Sequence, residues 1–127
     1  MKVLVTDTIS EAGVALLRKE PDLKVEVRLD LSREELLEAV ADADGMLTRS
    51  GTPLDREVLD AAKKLKAVAR AGVGVDNIDI AAASRRGVVV INAPTGNTLA
   101  ATEHTMAMLL SLVRKVPQAW NSVASGE

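Results

Sequence analysis

The chain has 127 residues, a length that suits one globular domain, and its 47% hydrophobic and 27% charged residues are typical of a soluble fold. The formal net charge of −2 gives no reason to expect nucleic acid or an acidic membrane as a partner, and without cysteine there is no disulfide or thiolate metal site. The N-terminus soon turns polar and no apolar run approaches the ~18 residues of a membrane span, so we expect a cytoplasmic protein.

Short apolar runs alternate with helical patterns in the N-terminal part of the chain. The run 3–6 predicts a first strand, and Ser10 is well placed to cap a helix after it. Apolar and polar residues alternate strictly over 24–30, which is typical of a strand at a sheet edge with one solvated face. Ser32 and Glu35 have the spacing of a capping box and predict the start of a second helix.

Three further apolar runs predict strands at 45–48, 65–70 and 87–93. A helix that begins at Thr52–Pro53 or at Asp55 separates the first two of these strands. A shorter helix follows Asp79 and ends near Gly87, a residue that suits a left-handed C-terminal cap.

This alternation of strands and helices predicts an α/β fold with a doubly wound, five-stranded parallel sheet. We expect right-handed crossovers and the flavodoxin-like strand order 2-1-3-4-5. That order places the alternating second strand at an edge, as its pattern requires.

The last predicted helix runs from Asn97 or Thr98 to about Val116 and is apolar around most of its circumference. A helix of this kind is usually buried on all sides, so we expect it to pack against another domain or a second copy of the chain. Pro117 is expected to end or bend the helix, and a polar tail without a further element is expected after it.

Ligands of open parallel sheets bind beyond the carboxyl ends of the strands. In this chain that rule brings together the loops 7–10, 49–52, 70–77 and 92–97. Two glycines of the third loop, Gly72 and Gly74, allow backbone N–H groups to form a nest for an anion. Asn77 takes the place of the third glycine of a dinucleotide fingerprint, and the loop follows the fourth strand, so a smaller anion such as a carboxylate is the better candidate. A tight turn that needs positive φ is the alternative.

Arg49 and Arg70 directly follow strands and should lie at the same edge of the sheet. Their planar guanidinium groups suit carboxylate or phosphate oxygens. Asn92 and Asn97 flank a Pro–Gly turn, where such residues commonly brace the backbone.

His104 lies beside Glu103 in the last helix, and neighbouring helical residues point about 100° apart. The two are therefore not an acid–base pair, and a structural role for His104 is favoured. No set of nucleophile, base and orienting residue is apparent, so no catalytic residue and no metal ligand are predicted.

The segment 69–79, ARAGVGVDNID, followed by NAP-x-GN at 92–97, closely resembles the NAD-dependent D-2-hydroxyacid dehydrogenases, and the resemblance covers the whole chain. The motif RS-x-T at 49–52, together with Arg70, favours a branch of the family that acts on phosphorylated acids. Members of the family have two doubly wound domains, one for the substrate and one for the nucleotide. The resemblance implies a substrate-binding domain over 1–97 and an inter-domain helix and tail over 98–127, with the nucleotide-binding domain absent.

The resemblance also implies substrate-binding residues, namely Arg49, Ser50, Arg70, Gly72, Val73, Gly74 and Asn97. Arg49 and Ser50 would face the phosphate of a small phosphorylated hydroxy or keto acid, and the backbone of residues 72–74 would hold its carboxylate. Val73 would also approach the nicotinamide of NAD. The family's catalytic histidine is expected beyond residue 127, so His104 is not that residue. The chain alone is expected to be inactive and to bind no NAD.

Two other classes of protein stay open from the residues themselves. A stand-alone flavodoxin-like or receiver-like module is disfavoured because Trp120 is the only aromatic residue and Arg49, rather than Asp, follows the third strand. An assembly module without catalysis is favoured by the open edge of the fifth strand and by the apolar last helix. Both features predict a homodimer through the C-terminal helix.

Overall fold

The structure is a computed structural model that describes residues 1–126. It contains two compact units, Met1–Pro94 and the segment from Thr95 onward. The first unit has nine elements in alternating order: β1 (Lys2–Val5), α1 (Glu11–Arg18), β2 (Lys24–Val27), α2 (Arg33–Val40), β3 (Gly45–Thr48), α3 (Arg56–Ala61), β4 (Ala67–Arg70), α4 (Ile80–Arg85) and β5 (Val89–Asn92). The second unit consists of α5 (Thr98–Val113) and α6 (Val116–Ser125).

The five strands form one parallel sheet in the order β2-β1-β3-β4-β5, which confirms the predicted fold class and strand order. Thr48 pairs with Arg70, and Arg70 pairs with Asn92, so β3, β4 and β5 end side by side. Three strands are shorter than predicted. For β4 and β5 the reason is that the predicted apolar runs include Leu65 and Val88. Both residues are buried in the core, but they precede the strands.

The core of the first unit lies between one face of the sheet and α2, α3 and α4. Leu4, Met46 and Val68 supply the sheet side, and buried aliphatic side chains of the three helices pack with them, among them Val40 and Leu59. Burying each such side chain fully contributes about 1.5–3 kcal/mol. The layer is therefore built from aliphatic side chains and methionine alone.

Side-chain caps fix where the helices of the first unit begin. The capping box of Ser32 and Glu35 is present in both directions, and Ser10 caps α1 as predicted. Asp55 caps α3, so that helix begins after Asp55 rather than at Thr52–Pro53. Gly87 follows α4 with φ of 68°, which confirms the predicted left-handed cap.

The opposite face of the sheet leaves a wide apolar groove beside α1. The groove has a volume of about 630 Å³, and Leu16, Leu17, Leu47 and Ala69 are among the residues that line it. Glu20 is the charged residue of a lining that is otherwise apolar.

The second unit differs from the prediction at its C-terminal end. α5 ends at Val113, and Lys115 adopts the left-handed conformation with φ of 50°, which separates α5 from α6. Pro117 lies in the first turn of α6, where a residue without an N–H is tolerated. The expectation of a polar tail without a further element was therefore wrong, since Pro117 helps to start a helix instead of ending one.

The apolar side chains of α5 are exposed all round the helix, and none of the described residues of α5 or α6 is buried. Leu99 is 70% exposed and Leu112 is 78% exposed. Among the described residues, no helix is both long enough and apolar enough to pass through a bilayer.

Candidate functional site

The carboxyl ends of the strands of the first unit bring three polar loops to one edge of the sheet. The N–H of Ala71 donates to the carbonyl of Thr48 at 2.8 Å, and the N–H of Ala93 donates to the carbonyl of Gly72 at 2.9 Å. These bonds join the loops that follow β3, β4 and β5. The predicted edge is therefore present over the first unit.

Asp7 follows β1 and holds the loop of residues 49–52, called the 49–52 loop below. Its Oδ2 accepts three hydrogen bonds: from the Thr48 hydroxyl at 2.6 Å, from the Arg49 N–H at 2.6 Å and from the Thr52 N–H at 3.3 Å. One carboxylate oxygen thus connects the first strand to both ends of the loop.

The surroundings of Asp7 act on its pKa in opposite directions. Burial raises the pKa of this carboxyl, while the hydrogen bonds from Thr48, Arg49 and Thr52 lower it and prevail, so the pKa lies below its usual range. Asp7 is therefore ionised at neutral pH, and its charge is met by donors within the chain.

Asn77 holds the same loop from the other side. Its Nδ2 donates to the carbonyl of Arg49 at 2.7 Å and to the carbonyl of Thr52 at 2.8 Å. A glycine at this position would lose both bonds. The third position of the incomplete fingerprint is thus occupied by a side chain that ties two loops together.

Residues 70–77 do not fit a dinucleotide pyrophosphate. The N–H of Gly72 already donates to the carbonyl of Arg70 at 2.9 Å, and Asn77 replaces the glycine needed for close packing. The loop also follows β4 of the sheet, not the first strand of a nucleotide-binding unit. The same bond at Gly72 reduces the predicted anion nest to the N–H groups of Val73 and Gly74, which have no acceptor within the described chain.

The two glycines of this loop leave room for neighbouring side chains and are not needed for a special backbone angle. Neither Gly72 nor Gly74 has positive φ, so the alternative of a tight turn with positive φ was wrong. A Cβ at residue 72 would collide with the guanidinium of Arg70, and a Cβ at residue 74 would lie 2.6 Å from Oδ1 of Asp76.

Arg49 and Arg70 are the cationic side chains at this edge. Neither takes part in an ion pair within residues 1–126. Arg49 and Ser50 are exposed, whereas Arg70 is half-buried and its Nε has no acceptor. Two guanidinium groups without a carboxylate partner are suited to the oxygens of an anion.

Asn92 braces the 70–77 loop rather than the Pro–Gly turn that it flanks, because its Nδ2 donates to the carbonyl of Val73 at 2.6 Å. Asn97 belongs to the second unit, where it precedes α5 without a side-chain capping bond. His104 and Glu103 are exposed residues of α5.

A small cavity lies between Asp7, the 49–52 loop and residues 29–31. It has a volume of about 190 Å³, and its lining includes Thr6, Asp30 and Thr52. Two carboxylates, Asp7 and Asp30, border it, which disfavours an anion there. No group of His, Asp and Glu side chains suited to a metal ion occurs among the residues that the structure describes.

Asp7 and Asn77 are the two residues of this edge whose roles the sequence did not indicate. Asp7 falls within a predicted loop, and Asn77 stands out in the sequence only because it replaces the third glycine of a dinucleotide fingerprint. Both roles depend on contacts with a loop more than twenty residues away, at separations of 42 and 28 positions from Arg49.

Residues 3–126 match the family of the D-isomer specific 2-hydroxyacid dehydrogenase, catalytic domain. The chain belongs to this family.

Among its relatives is the D-3-phosphoglycerate dehydrogenase of Archaeoglobus fulgidus, which is 52% identical over 127 residues, covering all of this chain and 24% of the relative. The enzyme of the same name from Methanocaldococcus jannaschii is 45% identical, again over the whole chain and 24% of the relative. The chain thus spans about a quarter of the length of these relatives.

Solved structures show the same fold. A Thermus thermophilus protein superimposes with a TM-score of 0.84 at 38% identity, over 99% of this chain and 41% of that one. The NAD⁺-bound 3-phosphoglycerate dehydrogenase of Entamoeba histolytica gives a TM-score of 0.75 at 31% identity, over 87% of this chain and 38% of that one.

Proposed function

We propose that the chain is the substrate-binding lobe of a D-3-phosphoglycerate dehydrogenase. Such an enzyme oxidises 3-phosphoglycerate to 3-phosphohydroxypyruvate with NAD, in the synthesis of L-serine in the cytoplasm. The observation that carries the proposal is the presence of Arg49 and Arg70, two guanidinium groups without ion-pair partners, at the carboxyl edge of the sheet. The relatives of the same name, at 45–52% identity, support the choice of substrate.

The proposed substrate has an anionic group at each end, and the edge offers donors for both. Arg49 and Ser50 bind the phosphate, because both are exposed on the 49–52 loop. Arg70 and the free N–H groups of Val73 and Gly74 bind the carboxylate. The carboxylate of Asp76 lies against Gly74 and repels the carboxylate of the substrate, which therefore binds nearer to Arg70 and Val73.

Three further assignments come from the resemblance. By the resemblance, Asn97 would support the substrate pocket of the whole enzyme, and Val73 would contact the nicotinamide of NAD there. Residues 1–97 act as the substrate-binding domain, and residues 98–127, whose described part forms α5 and α6, act as the inter-domain segment.

The chain alone is proposed to be catalytically inactive. The 49–52 and 70–77 loops carry cations and backbone donors, and neither loop brings a general base to a polarised nucleophile. We expect the purified chain to oxidise no NADH with 3-phosphohydroxypyruvate. Turnover at a rate typical of an enzyme would contradict this assignment.

An assembly module without catalysis is the second candidate. The exposed apolar surface of α5 favours it, since side chains such as Leu99 and Leu112 gain stability when a partner covers them. The two candidates differ in ligand binding, because only the first predicts affinity for a phosphorylated acid.

Calorimetric titration with 3-phosphoglycerate tests the proposed site. We expect measurable binding by the parent chain and at least about tenfold weaker binding by Arg49→Ala, because a charge-assisted hydrogen bond is lost. Arg18→Ala is the matched control, since Arg18 is an exposed arginine in the last turn of α1, away from the carboxyl ends of the strands. Equal affinity of Arg49→Ala and the parent chain would contradict the proposed site.

A further inference from the structure

The 49–52 loop is held at two residues by two side chains of opposite hydrogen-bonding character. Arg49 and Thr52 each donate a backbone N–H to Asp7 and accept a hydrogen bond from Asn77 at the carbonyl. Four backbone groups are satisfied in this way by one carboxylate and one amide. The two ends of the loop are thus fixed from the loop after β1 on one side and from the loop after β4 on the other.

The tip of the loop is left open by this arrangement. Ser50 and Gly51 are exposed, and their backbone groups form no hydrogen bond within residues 1–126. The loop therefore has a fixed base and a free tip, and the side chain of Arg49 leaves the backbone at the fixed base.

Gly51 and Asp7 depend on each other. A Cβ at residue 51 would lie only 2.5 Å from Oδ1 of Asp7, although Gly51 does not have positive φ. A side chain at this position would push the carboxylate away from its donors. The third position of the motif RS-x-T is therefore best filled by glycine in this chain, because the Asp7 carboxylate occupies the space of a side chain.

We propose that Asp7 is a positioning residue of the anion site, which fixes the backbone of Arg49 so that its guanidinium faces the substrate phosphate. The inference rests on the proposed function, because it takes Arg49 to be the phosphate ligand. Asn77 completes the arrangement from the opposite side, and Gly51 leaves room for it. Asp7 does not contact the substrate and acts through the 49–52 loop.

A carboxylate suits this position better than a neutral side chain. Hydrogen bonds to an ionised acceptor are about twice as strong as neutral ones. Asparagine at residue 7 could accept the same bonds more weakly, whereas alanine could accept none. The hydrogen bonds from the 49–52 loop to residue 7, called the anchor below, therefore weaken in the order Asp7, Asp7→Asn and Asp7→Ala, and neither substitution adds volume.

Hydrogen exchange of the ligand-free chain tests the anchor itself. We expect Asp7→Ala to speed exchange of the Arg49 and Thr52 amides at least about tenfold, with a smaller effect for Asp7→Asn, while Val68 in the central strand β4 stays protected. Should Asp7→Ala fail to fold, Asp7→Asn decides the test. Exchange of Arg49 and Thr52 within about twofold of the parent chain, or a rise no larger than at Val68, would overturn the inference.

Titration with 3-phosphoglycerate separates positioning from general stability. The control is Asp44→Asn, which removes another carboxylate that accepts a backbone N–H, from Lys2 at 2.8 Å, at the amino-terminal edge of the sheet. We expect Asp7→Ala to weaken binding about tenfold, Asp7→Asn to recover part of that loss, and Asp44→Asn to bind like the parent chain. Faster exchange with unchanged affinity in Asp7→Ala would overturn the positioning role.

The two experiments fail in different ways. A parent chain that binds no 3-phosphoglycerate contradicts the proposed function, yet the exchange of Arg49 and Thr52 still tests whether Asp7 holds the loop. A parent chain that binds through Arg49, together with an Asp7→Ala variant of unchanged affinity, supports the proposed function and overturns the inference about Asp7.

Discussion

The guanidinium of Arg70 lies across the backbone of Gly72, where a Cβ would collide with it. We expect Gly72→Ala to fold, because residue 72 does not have positive φ, and to bind 3-phosphoglycerate several-fold more weakly because Arg70 is displaced. Calorimetry measures the change. Gly45→Ala is the control, since a Cβ there meets its nearest neighbour at an ordinary 3.7 Å. Unaltered affinity of Gly72→Ala would contradict a role for Arg70 in binding the substrate.

The lowered pKa of Asp7 predicts a pH dependence of stability. Because the folded-state pKa lies below the unfolded value of about 3.9, Asp7 stabilises the fold above that pH and loses its contribution as the pH falls through the folded-state pKa. We expect Asp7→Asn to be about 1–2 kcal/mol less stable than the parent chain at pH 7. Urea unfolding at pH 7, 4 and 3 measures the difference, which should shrink with acidification. A difference that stays constant over this range would contradict the role given to ionised Asp7.

Among the elements, α2 has the most complete start signal, because Ser32 and Glu35 satisfy each other's backbone N–H groups. We expect Ser32→Ala to lower the free energy of unfolding by about 1 kcal/mol, since one N–H at the helix start loses its acceptor. Thermal or urea unfolding measures the loss. Ser84→Ala, in the exposed part of α4, is the control and should change stability by less than about 0.5 kcal/mol.

Local patterns predicted the elements of the first unit well, because caps and apolar periodicity act within a few residues. Ser32, Asp79 and Gly87 lie at the helix ends that their chemistry predicts. The strand order followed from one edge-like pattern in β2 and from the general rules for parallel sheets.

The C-terminal helices and the contacts of the candidate site were harder to predict. A left-handed Lys115 is unusual for a residue with a side chain, so nothing in the sequence placed a break before Pro117. Asp7 and Asn77 act on Arg49 across long separations in sequence. The residue types at the edge of the sheet were predictable, whereas the hydrogen bonds that arrange them depend on the folded register.

For the whole molecule, the exposed apolar surface of α5 has a consequence for association. We propose that the chain forms a homodimer through its C-terminal helices, since Met106, Leu110 and Val113 are about half or more exposed. Replacing these three residues by glutamine should shift the chain towards monomer in sedimentation velocity at concentrations on the order of tens of micromolar. Ile80→Gln, at an exposed apolar residue of the first unit, is the control and should leave association unchanged. A parent chain that sediments as a monomer would contradict the dimer.

The 49–52 loop has its base hydrogen-bonded to the chain before any ligand arrives. An acid that binds there meets a loop whose base was already ordered during folding, so only the tip remains to be ordered on association. We therefore expect ligand binding to cost little conformational entropy in the parent chain and more in Asp7→Ala at the same temperature. The charge of residue 7 would then determine how rigid the loop that receives the acid is.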